Sequence, residues 1–494
     1  MIDQNKQLEV SRDNRVSIPR CPLKGNMYDH QRVAWELACT SEKFALLMEQ
    51  GTGKTMPAIG VIGYRMPKRV LIVAPISVIP FWKQEIARCA DFPYGLVDLT
   101  GCKTEERDKM LRIVEPIKSG PVIALINYES TWRYYPQLKK WNAQMIICDE
   151  SQKIKRYRAK QSKAMHLLGD GAKYKLILTG TPVTQSPIDF WSQYRFLDPT
   201  IFGDNYFRFR GRYAIMGGWQ RKQIVGYRHL PELAEKAHSI AYRVKKEDCL
   251  TLPPQVDQTL LIELNPLARA KYKELKREFS TMLESGNTVT VPIVLTQLLR
   301  LQQITGGYVK NDIGEIEQVS NSKMDELKDL LEAMPVDKKV VIFARFIPEV
   351  EGIAKISGGL KRHYVTLTGA TLDRGSTIEK FQNDPETTVF IAQIQTGSLG
   401  ITLTAADTVI FYSTTFGYAD YEQARARIHR VGQTATSVTY IHLITKNTID
   451  EDILEALREK RDVAQYVVDK LKKEWEDADE ETDKERTEIC HADG

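Results

Sequence analysis

At 494 residues, with 42% hydrophobic and 27% charged side chains, the chain has the make-up of a folded globular protein with room for two to four domains. No apolar run approaches the roughly 20 residues of a membrane span, and the opening "MIDQNKQLEVSRDNR" has no signal-peptide core. Seven cysteines without a C-x-x-C pair, and eight histidines without ligand spacing, argue against a disulfide framework or a zinc site. A net charge of +5 is too small to identify a nucleic-acid partner. Its distribution says more: residues 200–250 hold ten Lys/Arg against five Asp/Glu, and residues 471–494 hold four against ten.

In chain order, residues 44–200 alternate short apolar runs with helix-like segments. The runs are "FALLME", "VLIVAP", "VIALINY", "MIICDE" and "LILTGTP". Unbroken β-rich runs of this length predict strands buried on both faces of a parallel sheet. The segments between them are long enough for crossover helices. The pattern stops near 200 and returns after about 335 with "KVVIFAR", "YVTLTG", "VFIAQ", "TVIFYS" and "YIHLIT". The expected fold is therefore α/β, with two parallel-sheet lobes in tandem, 23–250 and 251–470. A basic insertion is expected at about 200–250 and a helical insertion at about 265–335, with the linker signal "TLPPQ" at 251–255. Residues 1–22 form an N-terminal extension, and 471–494 an acidic, disordered tail.

"MEQGTGKTMPA" (Met48 to Ala58) follows one strand and precedes a helix. Its core, Gly51-Thr52-Gly53-Lys54-Thr55, is a phosphate-binding loop, although Met48 stands where the general pattern has its first glycine. Glycines let backbone N–H groups approach phosphates, Lys54 supplies charge to the terminal phosphates, and Thr55 can ligate magnesium. "MIICDESQK" ends a strand on two carboxylates: Asp149 can hold magnesium and Glu150 can polarise the attacking water. An acidic strand end capping a helix is the competing reading, and the phosphate loop outweighs it. "LILTGTP" supplies Thr179 and Thr181, which can bond to neighbouring loops; a plain turn is the competing reading, and taken alone this motif reads as one.

"QARARIHRVGQT" (423–434) carries three arginines. On a continuous helix, Gln423, Arg427 and Arg430 share one face and Arg425 points away. Two cations side by side face an anion. The expected anion is the transferred phosphoryl group of ATP, bound by the first lobe and met by Arg427 and Arg430 when the lobes close. Arg425 is expected to be surface or packing charge.

Taken in order over roughly residues 23–465, these motifs resemble the Swi/Snf-like ATPases of helicase superfamily two, in a compact bacterial or phage-type form. "MYDHQ" looks like the adenine-reading Q motif, with Gln31 as its glutamine. "GTGKT", "VLIVAPISVIPFWKQE", "DESQ" and "LILTGTP" resemble motifs I, Ia, II and III. "FWSQYRFLDP" and "KKEDCLTLPPQ" resemble the segments that follow motif III. "VVIFARF", "QTGSLGITLTAADTVI" and "QARARIHRVGQ" resemble motifs IV, V and VI. The resemblance implies two RecA-like lobes and ATP hydrolysis with magnesium, stimulated by double-stranded DNA that is tracked without strand separation. It also implies a location in the cytoplasm of a bacterial or phage-infected cell. Gln152 stands where many relatives have histidine, and Thr402 where asparagine is usual.

In such a fold the DNA candidates are Ser77 and Lys83 in the first lobe, and Arg345, Thr368 and Thr396 in the second. Their hydroxyl, amide and cationic groups suit sequence-independent contacts. The basic aromatic segment 206–228 reads equally as a phosphate contact or a packed insertion, and Trp82 as core. Two alternatives to a translocase stay open: a strand-separating DNA or RNA helicase, and a DNA-binding scaffold switched by nucleotide.

Overall fold

The computed structural model describes residues 21–470, apart from 115–118, 181, 183–185, 218–222, 251, 285–290, 311–314, 398–400, 461–462, 464–465 and 468–469. The expected acidic tail and nearly all of the N-terminal extension lie outside the described residues. The chain divides into two compact units, Met1–Leu252 and Pro253–Gly494.

The main sheet of the first unit has seven parallel strands: β1 (Lys43–Met48), β2 (Arg69–Ala74), β3 (Gly95–Asp98), β4 (Val122–Asn127), β5 (Met145–Asp149), β6 (Tyr174–Leu178) and β9 (Ala241–Val244). Their order is β3-β4-β2-β5-β6-β1-β9. Strands β4 and β5 are buried over their whole length, which is why their sequences read as unbroken apolar runs. Alternate residues feed two separate cores. Ala45, Leu47, Leu71 and Val73 face one side, and Phe44, Leu46, Val70 and Ile72 the other. Helices cover both faces, so the sheet is the middle layer of three. A small antiparallel hairpin, β7 (Ala214–Gly217) with β8 (Gln223–Tyr227), lies outside it.

This strand order decides where chemistry can sit. Neighbours β5, β6 and β1 run parallel, with Asp149 opposite Leu178 and Leu178 opposite Leu46. The loop after β1, the end of β5 and the residue after β6 therefore share one carboxyl edge, where open α/β sheets bind ligands.

The second unit repeats the plan with six parallel strands in the order β10-β17-β16-β13-β15-β14. These are β10 (Gln255–Ile262), β13 (Val340–Ala344), β14 (His363–Leu367), β15 (Thr387–Gln393), β16 (Thr408–Phe411) and β17 (Val438–Thr445). Val341 and Phe343 enter one core, and Val340 and Ile342 the other. Between β10 and β13 come the helices Pro266–Glu284, Val291–Thr305 and Ser322–Ala333, with the short pair β11 (Tyr308–Lys310) and β12 (Ile316–Gln318).

All ten apolar runs form strands, and the α/β class with two parallel sheets is as expected. Strands β3, β9 and β10 were not among the expected runs. The basic stretch 200–250 is therefore not wholly an insertion, because it returns to the main sheet as β9 beside β1. Among the described residues, no helix is long and apolar enough to cross a membrane.

Candidate nucleotide site

Strand β1 delivers the chain into the loop 49–54. Gly51 and Gly53 take φ values of 87° and 78°, the left-handed region that disfavours side chains. A Cβ on Gly53 would also lie 2.1 Å from Nε2 of Gln31. Lys54 precedes the helix Thr55–Arg65, and Thr55 is its first residue, so helix N–H groups point into the loop. The loop is braced from below. His30 Nε2 lies 2.8 Å from the Thr52 carbonyl, and Gln31 Nε2 donates to the carbonyls of Thr52 and Gly53, at 3.2 Å each. Gln31 Oε1 accepts the Tyr28 N–H at 3.0 Å. The amide expected to read adenine is thus engaged at both ends within the unit, where it fixes the loop backbone. His30, which shares this bracing, was not singled out from the sequence.

Asp149 ends β5 and is 3% exposed. Glu150 follows at φ 50°, ψ 54°, a left-handed conformation uncommon for a non-glycine residue. This breaks the alternation of the strand and leaves two neighbouring carboxylates, both buried, at one edge. Each is held by donors. Asp149 Oδ2 accepts the indole N–H of Trp82 at 2.9 Å, and its Oδ1 accepts the Glu150 N–H at 2.9 Å. Glu150 Oε1 accepts from Gln50 Nε2 at 2.8 Å and pairs with Lys54 Nζ at 3.3 Å. Its Oε2 accepts from Gln152 Nε2 at 2.8 Å, and Gln152 Oε1 in turn accepts the Thr179 hydroxyl at 2.8 Å. Burial pushes the Asp149 carboxyl above its ordinary range, helped by the Glu150 charge, while Lys54 and the Trp82 bond oppose the rise.

Trp82 is fully buried, as its sequence reading as core required, yet its single polar atom reaches Asp149. Neither this role nor that of Gln50 was read from the sequence. An indole in a helix signals packing, and nothing in the linear order joins residue 82 to residue 149. Thr181 lies outside the described residues.

In the second unit, the helix carrying Gln423 spans Tyr418–Arg425 and stops there. The shared helical face expected for Gln423, Arg427 and Arg430 is therefore incorrect, because both arginines lie in the turns that follow. They converge by another route. Arg427 Nε donates to the Gln423 carbonyl at 2.8 Å, and its Nη1 to the Ile401 carbonyl at 3.2 Å. Arg430 Nη1 donates to the same carbonyl at 3.3 Å. Arg425 packs instead. It forms a two-pronged ion pair with Asp257, Nη2 to Oδ2 at 2.9 Å, and its guanidinium lies 3.8 Å from the centre of the Tyr440 ring.

The DNA candidates fare unequally. Ser77 lies in the single turn Ile76–Val78 with its hydroxyl enclosed and no hydrogen-bond partner. Lys83, on the helix Ile79–Cys89, pairs with Asp98 at 2.5 Å. Thr368 caps its own loop, its N–H donating to Thr371 Oγ1 at 2.9 Å. Thr396 sits half-buried in the short helix Ile394–Gly397. Arg345 is engaged within its own unit. Its Nη1 donates to Gln302 Oε1 at 3.0 Å, and its guanidinium lies 3.8 Å from the centre of the Phe416 ring. Burial draws its pKa down to about 10.

Comparison with known proteins agrees with the motif order. The family description SNF2-related domain matches residues 28–308, and the helicase conserved C-terminal domain matches residues 322–432. An uncharacterized ATP-dependent helicase of Mycoplasma genitalium is 25% identical over 470 residues, 92% of this chain and 44% of the relative. The human DNA annealing helicase and endonuclease ZRANB3 is 26% identical over 450 residues, 89% of this chain and 40% of the relative. The chain thus spans less than half of either curated relative. Among solved structures, the Sulfolobus solfataricus SWI2/SNF2 ATPase core in complex with dsDNA is 25% identical, with 88% of this chain and 92% of that chain covered at a TM-score of 0.42.

Proposed function

This chain belongs to the SNF2-related family, among the ATPases of helicase superfamily two, and on that premise we propose that it is a DNA-dependent ATPase that couples hydrolysis to translocation on double-stranded DNA. The observation that carries the reading is the fixing of Glu150. Three donors, from Gln50, Lys54 and Gln152, hold one buried carboxylate at the edge of the phosphate loop. A structural acidic strand end would not need its glutamate aimed and bonded in this way.

In this reading the backbone around Gly51, Thr52 and Gly53 cradles the phosphates of ATP, and Lys54 leaves Glu150 to meet the terminal phosphate. Glu150, still held by Gln50 and Gln152, then orients the attacking water. Thr55 and Asp149 would hold magnesium, a hydroxyl and a carboxylate being oxygen donors that suit a hard cation. Among the described residues, no group of three or more His, Cys, Asp or Glu is placed to hold a metal ion. When bound, magnesium neutralises charge on the phosphates. Arg427, bonded to the Gln423 carbonyl, and Arg430 are the cations proposed to act on the transferred phosphoryl group. Lys83, Arg345, Thr368 and Thr396 are proposed contacts to the DNA backbone; the enclosed Ser77 hydroxyl is not placed to meet one. The name DNA annealing helicase, borne by a relative, supports DNA as the partner.

The test is ATP turnover without nucleic acid and with duplex DNA, single-stranded DNA or RNA, beside triplex and duplex displacement. Duplex-stimulated turnover that displaces a triplex strand without unwinding the duplex is the expected result. Lys54→Ala should abolish turnover. Turnover indifferent to Lys54→Ala, or a strong preference for RNA, would overturn the reading, and displacement of a duplex strand would make the protein a strand-separating helicase.

A further inference from the structure

The segment behind the second motif is strongly basic. Residues 153–163 carry six Lys/Arg and no acidic residue. The fold brings this segment against the helix Tyr206–Tyr213, which begins the basic aromatic stretch. That helix answers the two readings of the stretch by dividing them. Phe209 and Tyr213 are buried in the unit's core, whereas Phe207 is 55% exposed.

Phe207 is not an isolated apolar residue on the surface. Tyr157 and Tyr206 stack with ring centres 3.8 Å apart. Both pack edge-on to buried Trp191, at 5.9 and 5.5 Å. Phe207 joins the outer end of this ladder, 5.7 Å from Tyr206 and 6.4 Å from Tyr157. Two arginines lie against its rings. Arg210 lies 5.3 Å from the centre of the Phe207 ring and Arg158 lies 5.4 Å from that of Tyr157. Among the described residues, no carboxylate is within ion-pair distance of Arg158, Arg208 or Arg210. The acid acting on Tyr206 is Asp189, and Lys155 already lies 3.9 Å from it. On the same basic segment, Lys160 sits 4.4 Å over the Trp132 ring, so the pairing of cation with aromatic ring recurs there.

An anchored aromatic ladder with an exposed end, beside cations that have no carboxylate at ion-pair distance among the described residues, is suited to bind an unpaired polynucleotide strand. Bases stack on the ring, and phosphates meet the arginines. Paired bases inside a duplex cannot offer their faces to such a ring, so duplex tracking alone leaves the exposed phenyl without a use. We propose that Phe207, with Arg158 and Arg210, forms a contact site for single-stranded DNA on the first unit, used where a duplex carries an unpaired arm. The proposal deepens the DNA-translocase reading and rests on it.

The experiment measures binding of the full chain, by fluorescence anisotropy at fixed salt, to a blunt duplex and to the same duplex bearing a single-stranded tail. Duplex-stimulated ATP turnover is recorded alongside. The wild type should bind the tailed DNA about fivefold or more tightly than the blunt one, as expected for one stacked base. Phe207→Ala should remove that advantage and leave blunt-duplex turnover unchanged, and Phe207→Trp should keep it. Arg158→Ala should weaken tailed binding and lower its salt dependence. A wild type that gains nothing from the tail, or a Phe207→Ala variant that keeps the gain, would overturn the proposal. Equal weakening of blunt and tailed binding would also overturn it, by making the ring a duplex contact. Failure of duplex-stimulated turnover in the wild type would instead remove the translocase reading, and the two failures are read from separate measurements.

Discussion

Trp82→Phe keeps a ring in a fully buried pocket and deletes the one N–H that bonds Asp149. A hydrogen bond to a buried charge contributes about 1.5–3 kcal/mol, and about 1.4 kcal/mol corresponds to one pKa unit. The bond favours the ionised carboxylate, so its loss should raise the Asp149 pKa by about one to two units. Burial has already raised that carboxyl, so it has little margin at neutral pH. In the proposed role Asp149 acts ionised, so activity should fall as pH falls through its pKa. The acid limb of kcat/KM for ATP should therefore move to higher pH by one to two units, with the rate recovering on the alkaline side. The assay is duplex-stimulated turnover from pH 6 to 9.5, repeated at several magnesium concentrations, with thermal unfolding as control. The smaller ring also leaves a cavity, and that defect would lower the rate evenly across pH. A uniform loss without displacement of the limb would refute the claim that the indole holds Asp149 for its role.

Arg425→Ala should lower stability by about 1–3 kcal/mol through its lost bond to Asp257, yet leave turnover per folded molecule near wild type, whereas Arg427→Ala should cost about a thousandfold or more. Equal losses per folded molecule, measured after correction by chemical denaturation, would contradict this division. Glu349 is buried, its Oε2 accepting from the N–H groups of Arg345 and Phe346 and from Ser413 Oγ, and burial pushes its carboxyl up to about 7. The folded state then holds a proton that the unfolded chain releases near pH 4.5, so stability should fall as pH rises from about 4.5 through 7, by on the order of 3 kcal/mol; Glu349→Gln should flatten that slope in urea unfolding curves, and a slope of unchanged steepness would count against it.

Much of this architecture was legible because burial on both faces of a sheet leaves a visible trace. Strands β4 and β5 have no polar residue before their last position, and all ten such runs became strands. The three strands of the two main sheets that were not foreseen lack that trace. In β9, "AYRV" is only four residues with an arginine, and β10 is an edge strand exposed over most of its length. Neither a four-residue strand nor one exposed on both faces carries an unbroken apolar run or a clear alternation. The nucleotide site was legible where chemistry lies in consecutive residues, from Gly51 to Thr55 and at Asp149 and Glu150. It was not legible where the contacts come from elsewhere in the fold. Trp82, Gln50 and His30 act through pairs 67, 100 and 22 residues apart. The arginine stretch shows the opposite error. A sound periodic argument was applied past Arg425, where the helix ends, and the convergence at the Ile401 carbonyl comes from turn geometry instead.

Gln152 ties these contacts together. A histidine there would offer two ring nitrogens, one donating and one accepting only while neutral, and would change charge near neutral pH. The amide offers the same donor and acceptor with no titration. Its Nε2 faces Glu150 and its Oε1 receives Thr179, so the link from the end of β6 to the second carboxylate is complete. A bond of fixed polarity also fixes direction: Thr179 can only donate to it, and Glu150 can only accept from it while ionised. Movement of the loop after β6 would therefore pull on Glu150 by geometry, with no proton changing place at residue 152. With that position silent between pH 5 and 8, residue 152 adds nothing to an acid limb in the turnover profile. The displacement expected for Trp82→Phe then reports on Asp149 and Glu150, with no contribution from the side chain that bridges the two motifs.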